Sequence, residues 1–138
     1  MKESKVDRSV REDIEANEGW LIKDQANIYQ RKGIPDLIIC TPALKGRLLG
    51  IETKAGNGHP LTMAQMFEGY KITIAGGMYI VAYSDYKSFT ELAPNKITLS
   101  TSAKKAKSAL DLSKSDYEKL ESIWKKINTE KKTVAFSL

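Results

Sequence analysis

The sequence predicts an α/β fold, a central mixed sheet flanked by helices in the element order αβββαβ. Three features carry that prediction. Val6, Val10 and Ile14 recur every four residues, the spacing of one helix face. Two apolar runs, within residues 34–40 and 47–53, flank a segment holding Pro42 and Gly46, which signals a hairpin of two buried strands. A helical pattern over residues 61–75 then separates the hairpin from the apolar run 78–83. The strand after that helix is therefore expected as a parallel or mixed neighbour of the second hairpin strand, with the helix as crossover.

Taken in order, the first helix is expected over residues 3–17 and stops at Glu18-Gly19. Trp20-Leu21-Ile22 and Asn27-Ile28-Tyr29 read as strands around a polar bend. In the hairpin, Leu37 and Ile39 point one way and Ile38 and Cys40 the other, the pattern of a sheet covered on both sides. Cys40 is expected as a small core residue. Thr62-Met-Ala-Gln65 matches a capping box at the start of the second helix. Met63, Phe67, Tyr70 and Ile74 share a face of that helix, and Gly76-Gly77 ends it. Residues 85–92 read as a short helix capped by Ser84 or Asp85 and closed before Pro94. A weak strand is expected at 97–99 and a weak helix at 103–110. Ser115-Asp-Tyr-Glu118 reads as a second capping box, opening a helix to about residue 128 with Trp124 as an anchor against the core or a second subunit, packing within the chain being the expected arrangement.

The 138 residues suit one domain with a single core. No apolar run approaches the roughly 20 residues that span a bilayer, so no membrane partner is expected. The first residues, Met-Lys-Glu-Ser-Lys-Val-Asp-Arg, have no apolar segment behind them, and the expected location is cytoplasmic. With one cysteine and one histidine, the chain has no internal disulfide and no Cys- or His-based metal cluster. Charge is uneven. Residues 1–92 carry 12 Lys/Arg and 12 Asp/Glu, whereas residues 93–138 carry 10 and 5. A basic extension on a neutral core suits a polyanionic partner.

The hairpin holds the chemistry. Asp36 and Glu52 are symmetric about Leu44, the middle of the connecting loop. Symmetric pairing sets them directly across from each other, with Cα atoms roughly 4.5–5.5 Å apart. Lys54, two residues after Glu52, leaves from the same face. Two carboxylates this close on apolar strands favour either a proton or a cation between them. Lys54 supplies one positive charge, and Mg²⁺, which suits one or two carboxylates plus waters and a phosphate, is the natural second partner.

The ordered set Pro35-Asp36 and Glu52-Thr53-Lys54 resembles the PD-(D/E)xK nuclease motif, and most closely its VRR-NUC branch. The matching residues are Gly33 to Leu37, Glu52 to Lys54, a Gly-bearing loop, Leu61-Thr62 and Gln65. The resemblance covers roughly residues 1–84 and implies a restriction-endonuclease-like core, with residues 1–92 as the nuclease core and 93–138 as a basic helical extension packed on it. It implies a Mg²⁺- or Mn²⁺-dependent endonuclease acting on DNA, selective for branched forms such as four-way junctions or flaps, in replication, recombination or repair. Symmetric cutting of a junction would need a homodimer. The alternative is a nucleic-acid-binding module with this fold that does not cut.

On that reading Asp36, Glu52 and the Thr53 carbonyl hold the ion, Lys54 serves the attacking water or the phosphate, and Gln65 completes the site. The family's helical glutamate would be Glu3, with Asp7 as the other acid on that helix edge. Arg31, Lys32, His59, Lys104, Lys105 and Lys107 are the candidate nucleic-acid contacts.

Overall fold

The computed structural model describes residues 3–23 (side chains from Lys5), 32–56, 59–98 and 112–137. Helix α1 (Glu3–Ala16) comes first, followed by β1 (Trp20–Lys23), β2 (Leu37–Cys40) and β3 (Leu49–Thr53). Helix α2 (Met63–Ile74) crosses to β4 (Met78–Ala82). A two-residue strand β5 (Pro94–Asn95), helix α3 (Lys114–Glu130) and β6 (Val134–Phe136) follow among the described residues. The six strands form one mixed sheet in the order β1-β2-β3-β4-β6-β5. Strands β1, β2 and β3 are antiparallel neighbours, β4 joins β3 in parallel, and β6 runs antiparallel to β4.

Strand alternation sorts the core onto two faces. Val6, Val10 and Ile14 of α1 are buried against Leu37, Ile39, Leu49, Ile51 and Ile80. Each such side chain removed from water contributes about 1.5–3 kcal/mol. The opposite face carries Tyr79, Val81, Tyr83 and Phe136 under α2 and α3. Because Ile51 faces α1, Glu52 faces α2. Residues 93–138 enter the sheet itself through β5 and β6, while α3 packs beside α2.

Helix α2 is set by what it covers. Met66, Gly69, Tyr70 and Thr73 form its buried stripe, with Phe67 and Ile74 only partly buried, so the face is rotated from the expected Met63–Phe67 line. Gly69 is the reason. A methyl there would lie 2.3 Å from the Tyr79 ring, so the bare backbone lets the helix settle onto that aromatic. Trp124 anchors α3 within the chain, donating its indole N–H to the Leu61 carbonyl.

Several local expectations are corrected. Residues 85–92 form no α-helix; a 3-10 turn spans Phe89–Glu91, capped by Ser88. The Asp13 carboxylate of α1 takes the Phe89 N–H, the Ser88 hydroxyl and the Tyr86 hydroxyl, and these long-range bonds override local helical preference. Asp85 instead accepts from Thr133. The cap of α3 is Ser113, bonded both ways with Asp116, two residues before the expected box at Ser115. Ile97 and Thr98 lie outside any strand, and the pairing there is made by Pro94–Asn95. Cys40 is exposed, because its neighbour on the edge strand β1 is Trp20, which is itself exposed and does not cover it. Trp20 and Ile22 are exposed on that same edge. The expected strand at 27–29, Leu99 and the helix at 103–110 lie outside the described residues.

Candidate active site

The β2–β3 register pairs Leu37 with Ile51, Ile38 with Gly50 and Ile39 with Leu49. Carried one residue further, it sets Asp36 against Glu52 about the centre that the sequence symmetry gives. The contact is direct, since the Asp36 backbone N–H donates to Glu52 Oε2 at 3.2 Å. Asp36 Oδ2 in turn accepts from the Thr53 N–H at 2.9 Å and from the Thr53 hydroxyl at 3.0 Å.

The strand ends explain this interlock. Lys54 N–H donates to the Ala82 carbonyl of β4. Alternate N–H groups of β3 therefore point to β4 and to β2, and that of Thr53 points to β2. Strand β2 begins only at Leu37. The Asp36 carboxylate takes the ladder position that the strand has not yet reached, and the Thr53 carbonyl leaves on the same side as its N–H.

The loop into β2 is pinned against α2. Gly33 has φ +92°, and a Cβ there would lie 2.3 Å from the Ala64 carbonyl oxygen. Only glycine combines that backbone conformation with so close an approach. Gly50 plays the same part under Pro35, whose Cγ would lie 2.9 Å from an added Cβ. Asp36 and the first turn of α2 are thus held on one side of the sheet end.

Gln65 uses every part of its amide. Its backbone N–H donates to Thr62 Oγ1, and its Oε1 accepts from the Thr62 N–H, which makes the capping box. Its Nε2 donates to Glu52 Oε1 at 2.7 Å. Lys54 Nζ lies 3.7 Å from the same oxygen, with both charged side chains more than nine-tenths buried. Glu52 is therefore met by a backbone amide, a side-chain amide and an ammonium, which lowers the cost of keeping it charged without a bound ion.

Asp36, Glu52 and Lys54 leave a net formal charge of −1. Tyr79, on the neighbouring strand, senses that field. Its phenol is pushed well above the usual tyrosine range, first by complete burial, then by the charges of Glu52 and Asp36, with smaller contributions from Tyr83 and Glu68. Its hydroxyl has no hydrogen-bond partner among the described residues. No sequence motif marks Tyr79; its one signal is a polar tip in an otherwise aliphatic strand.

Among the described residues, no three His, Cys, Asp or Glu side chains cluster closely enough to hold a metal. The available donors are two carboxylates and one carbonyl. That all-oxygen set, carrying excess negative charge, fits a hard divalent cation that keeps part of its water shell, such as Mg²⁺.

The remaining candidates are scattered. Glu3 is the first residue of α1, and its side chain lies outside the described residues. Asp7, one turn on, is held by Arg11 at 2.8 Å and by Lys23 at 3.4 Å on the α1 face of the sheet. Lys23 pairs with Leu37, so the first turns of α1 lie at the sheet end that carries Asp36. Lys32 is exposed on the loop before Gly33. His59 is exposed and lines a separate pocket with Ala55 and Lys131. Arg31, Lys104, Lys105 and Lys107 lie outside the described residues. No helix of the described residues is long and apolar enough to cross a membrane. No protein-family model, curated protein or solved structure matches the chain.

Proposed function

We propose that this chain is a divalent-cation-dependent endonuclease that hydrolyses DNA phosphodiester bonds, with a restriction-endonuclease-like core of the VRR-NUC type. One observation carries the reading: Asp36 and Glu52 meet across the β2–β3 register, with Lys54 and Gln65 both engaged on Glu52. The order of elements from α1 to β4 is αβββαβ, as the resemblance implies.

Asp36, Glu52 and the Thr53 carbonyl are the groups that would hold Mg²⁺ or Mn²⁺. Such an ion, when bound, lowers the pKa of water and stabilises charge on the phosphoryl oxygens. The chain's own residues do the positioning. Thr53 fixes one Asp36 oxygen through two bonds, and the other oxygen is the one a ligand would take. Gln65 fixes the Glu52 rotamer. Lys54, buried beside Glu52, would offer N–H donors to a phosphate oxygen and to the attacking water. Glu3, in the first turn of α1, is the further acid that the resemblance implies.

A single small site of this kind cuts one strand. Branched DNA is the proposed substrate, with a dimer for symmetric cutting of a junction. The test uses labelled duplex, flap and four-way-junction DNA with Mg²⁺. The parent should cut, and Asp36→Ala should lose activity by about 10²-fold or more, since even outer-shell partners of metal ligands cost up to that. Equal cutting by both removes the assignment. Salt-sensitive binding by a parent that never cuts identifies the non-cutting module instead.

A further inference from the structure

A cavity of about 220 Å³ lies where β3 ends, lined by Ala55, His59, Pro60, Tyr83, Asn128 and Lys131. Its place follows from the register. Ala55 comes directly after Lys54, and β3 ends against β4 with Thr53 beside Ala82, so Tyr83 is the next residue on the β4 side. Strand β6 runs antiparallel to β4, and the Tyr83 N–H donates to Thr133 Oγ1. That reversal brings the segment after α3, which starts at Lys131, to the same end of the sheet.

The pocket is built with fixed walls. Asn128 Oδ1 accepts from the Leu61 N–H at 2.7 Å, and its Nδ2 donates to the Leu61 carbonyl, so both polar atoms hold the loop before α2. Tyr83 is 2% exposed and, with Ala55 and Pro60, gives an apolar floor. Lys131 closes α3 in the left-handed conformation, φ 51°, with its N–H on the Ile127 carbonyl. Among the described residues, Lys131 and His59 make no ion pair and no acid lines the pocket. Asp85, the nearest acid on the β4 side, spends one carboxylate oxygen on both the N–H and the hydroxyl of Thr133.

The Lys131 ammonium and the His59 ring N–H, from two elements, stand above an apolar floor and match a sugar-phosphate: anion to these donors, ribose or base against Pro60. We propose that this pocket holds the phosphate next to the scissile one on the substrate strand, with Lys131 and His59 as its contacts. The assignment rests on the nuclease reading of Asp36 and Glu52, and it names which part of the substrate leaves that site towards β6.

The test is binding rather than cleavage. Fluorescein-labelled dT10 is titrated with full-length protein in EDTA at several salt concentrations, by anisotropy. Lys131→Asn is the main variant, because asparagine tolerates the left-handed position and so spares the helix end. It should weaken binding several-fold and reduce the slope of log K against log salt by about 0.7, the value for one phosphate contact on a single strand. His59→Gln should also weaken binding. Lys125→Gln, on exposed α3 and paired with Glu121, should leave the slope unchanged. Thermal melting confirms that each variant is folded. Equal slopes for parent and Lys131→Asn, or the same loss from Lys125→Gln, overturn the proposal. Because no divalent ion is present, failure here is separable from failure of Asp36→Ala to abolish cutting with Mg²⁺.

Discussion

Gln65 offers the sharpest perturbation, because one side chain joins the helix cap to the acidic pair. Alanine there removes the 2.7 Å bond to Glu52 and the acceptor for the Thr62 N–H. A hydrogen bond to a charged group contributes about 1.5–3 kcal/mol, and half of a capping box adds several tenths to about 1. Partial exposure of the amide puts the expected cost at about 2–3 kcal/mol. For 138 residues the unfolding entropy is about 0.29 kcal/mol per degree, so Tm falls by about 7–10 °C. Gln65→Glu is more telling. It keeps the acceptor for Thr62 but turns a carboxylate oxygen towards Glu52, where the amide nitrogen had been. In EDTA it should be at least as unstable as Gln65→Ala. With Mg²⁺ it should recover more than either the parent or Gln65→Ala gains, because a third acid strengthens a cation site. Differential scanning fluorimetry with and without Mg²⁺ reads both effects. A Gln65→Glu variant as stable as the parent in EDTA refutes the claim that Gln65 donates to a charged Glu52.

Gly33→Ala should cost about 3 kcal/mol or more in urea unfolding, because a left-handed alanine and an added methyl 2.3 Å from the Ala64 carbonyl oxygen both oppose the native loop; a neutral result would separate that loop from α2. Alkaline unfolding is a second check. Tyr70 is pushed up to about 12, and Tyr79, Tyr83 and Tyr86 are raised, burial being the leading cause for each. Raised phenols bind protons in the fold that the unfolded chain releases near pH 10, so their contribution is complete below that pH and is lost as pH rises towards the folded values. Stability should then fall by about 1.4 kcal/mol per pH unit for each such tyrosine, and a flat profile from pH 8 to 11 contradicts the burial. Tyr79→Phe should be neutral or stabilising at pH 8, since the hydroxyl it removes has no partner among the described residues, and a loss above about 1 kcal/mol by the same unfolding curve would show otherwise.

What the sequence revealed is what repeats or mirrors locally. Val6, Val10 and Ile14 fix α1, and the centre at Leu44 fixes the register that joins Asp36 to Glu52. The capping box at Thr62 is legible in the sequence, with Gln65 as its closing residue. The parts that escaped depend on distant partners. Strand β6 is three residues long, too short for alternation to mark, and gains its place by pairing with β4. The turn at Phe89–Glu91 is dictated by Asp13, 76 residues before Phe89. The buried stripe of α2 is turned by one bare glycine on one aromatic ring, a fit between elements that helical periodicity does not encode. At the site, the Thr53 hydroxyl on Asp36 and the field on Tyr79 both arise from strands meeting at their ends.

The central claim is that Asp36 and Glu52 hold a divalent ion between them. Isothermal titration of Mg²⁺ and Mn²⁺ into the parent and into Asp36→Asn addresses it directly, since asparagine keeps an acceptor for Thr53 while removing the charge. The parent should show saturable binding at one stoichiometric site or more, and Asp36→Asn should lose it. No heat of binding in the parent, or the same isotherm for both proteins, would contradict the account.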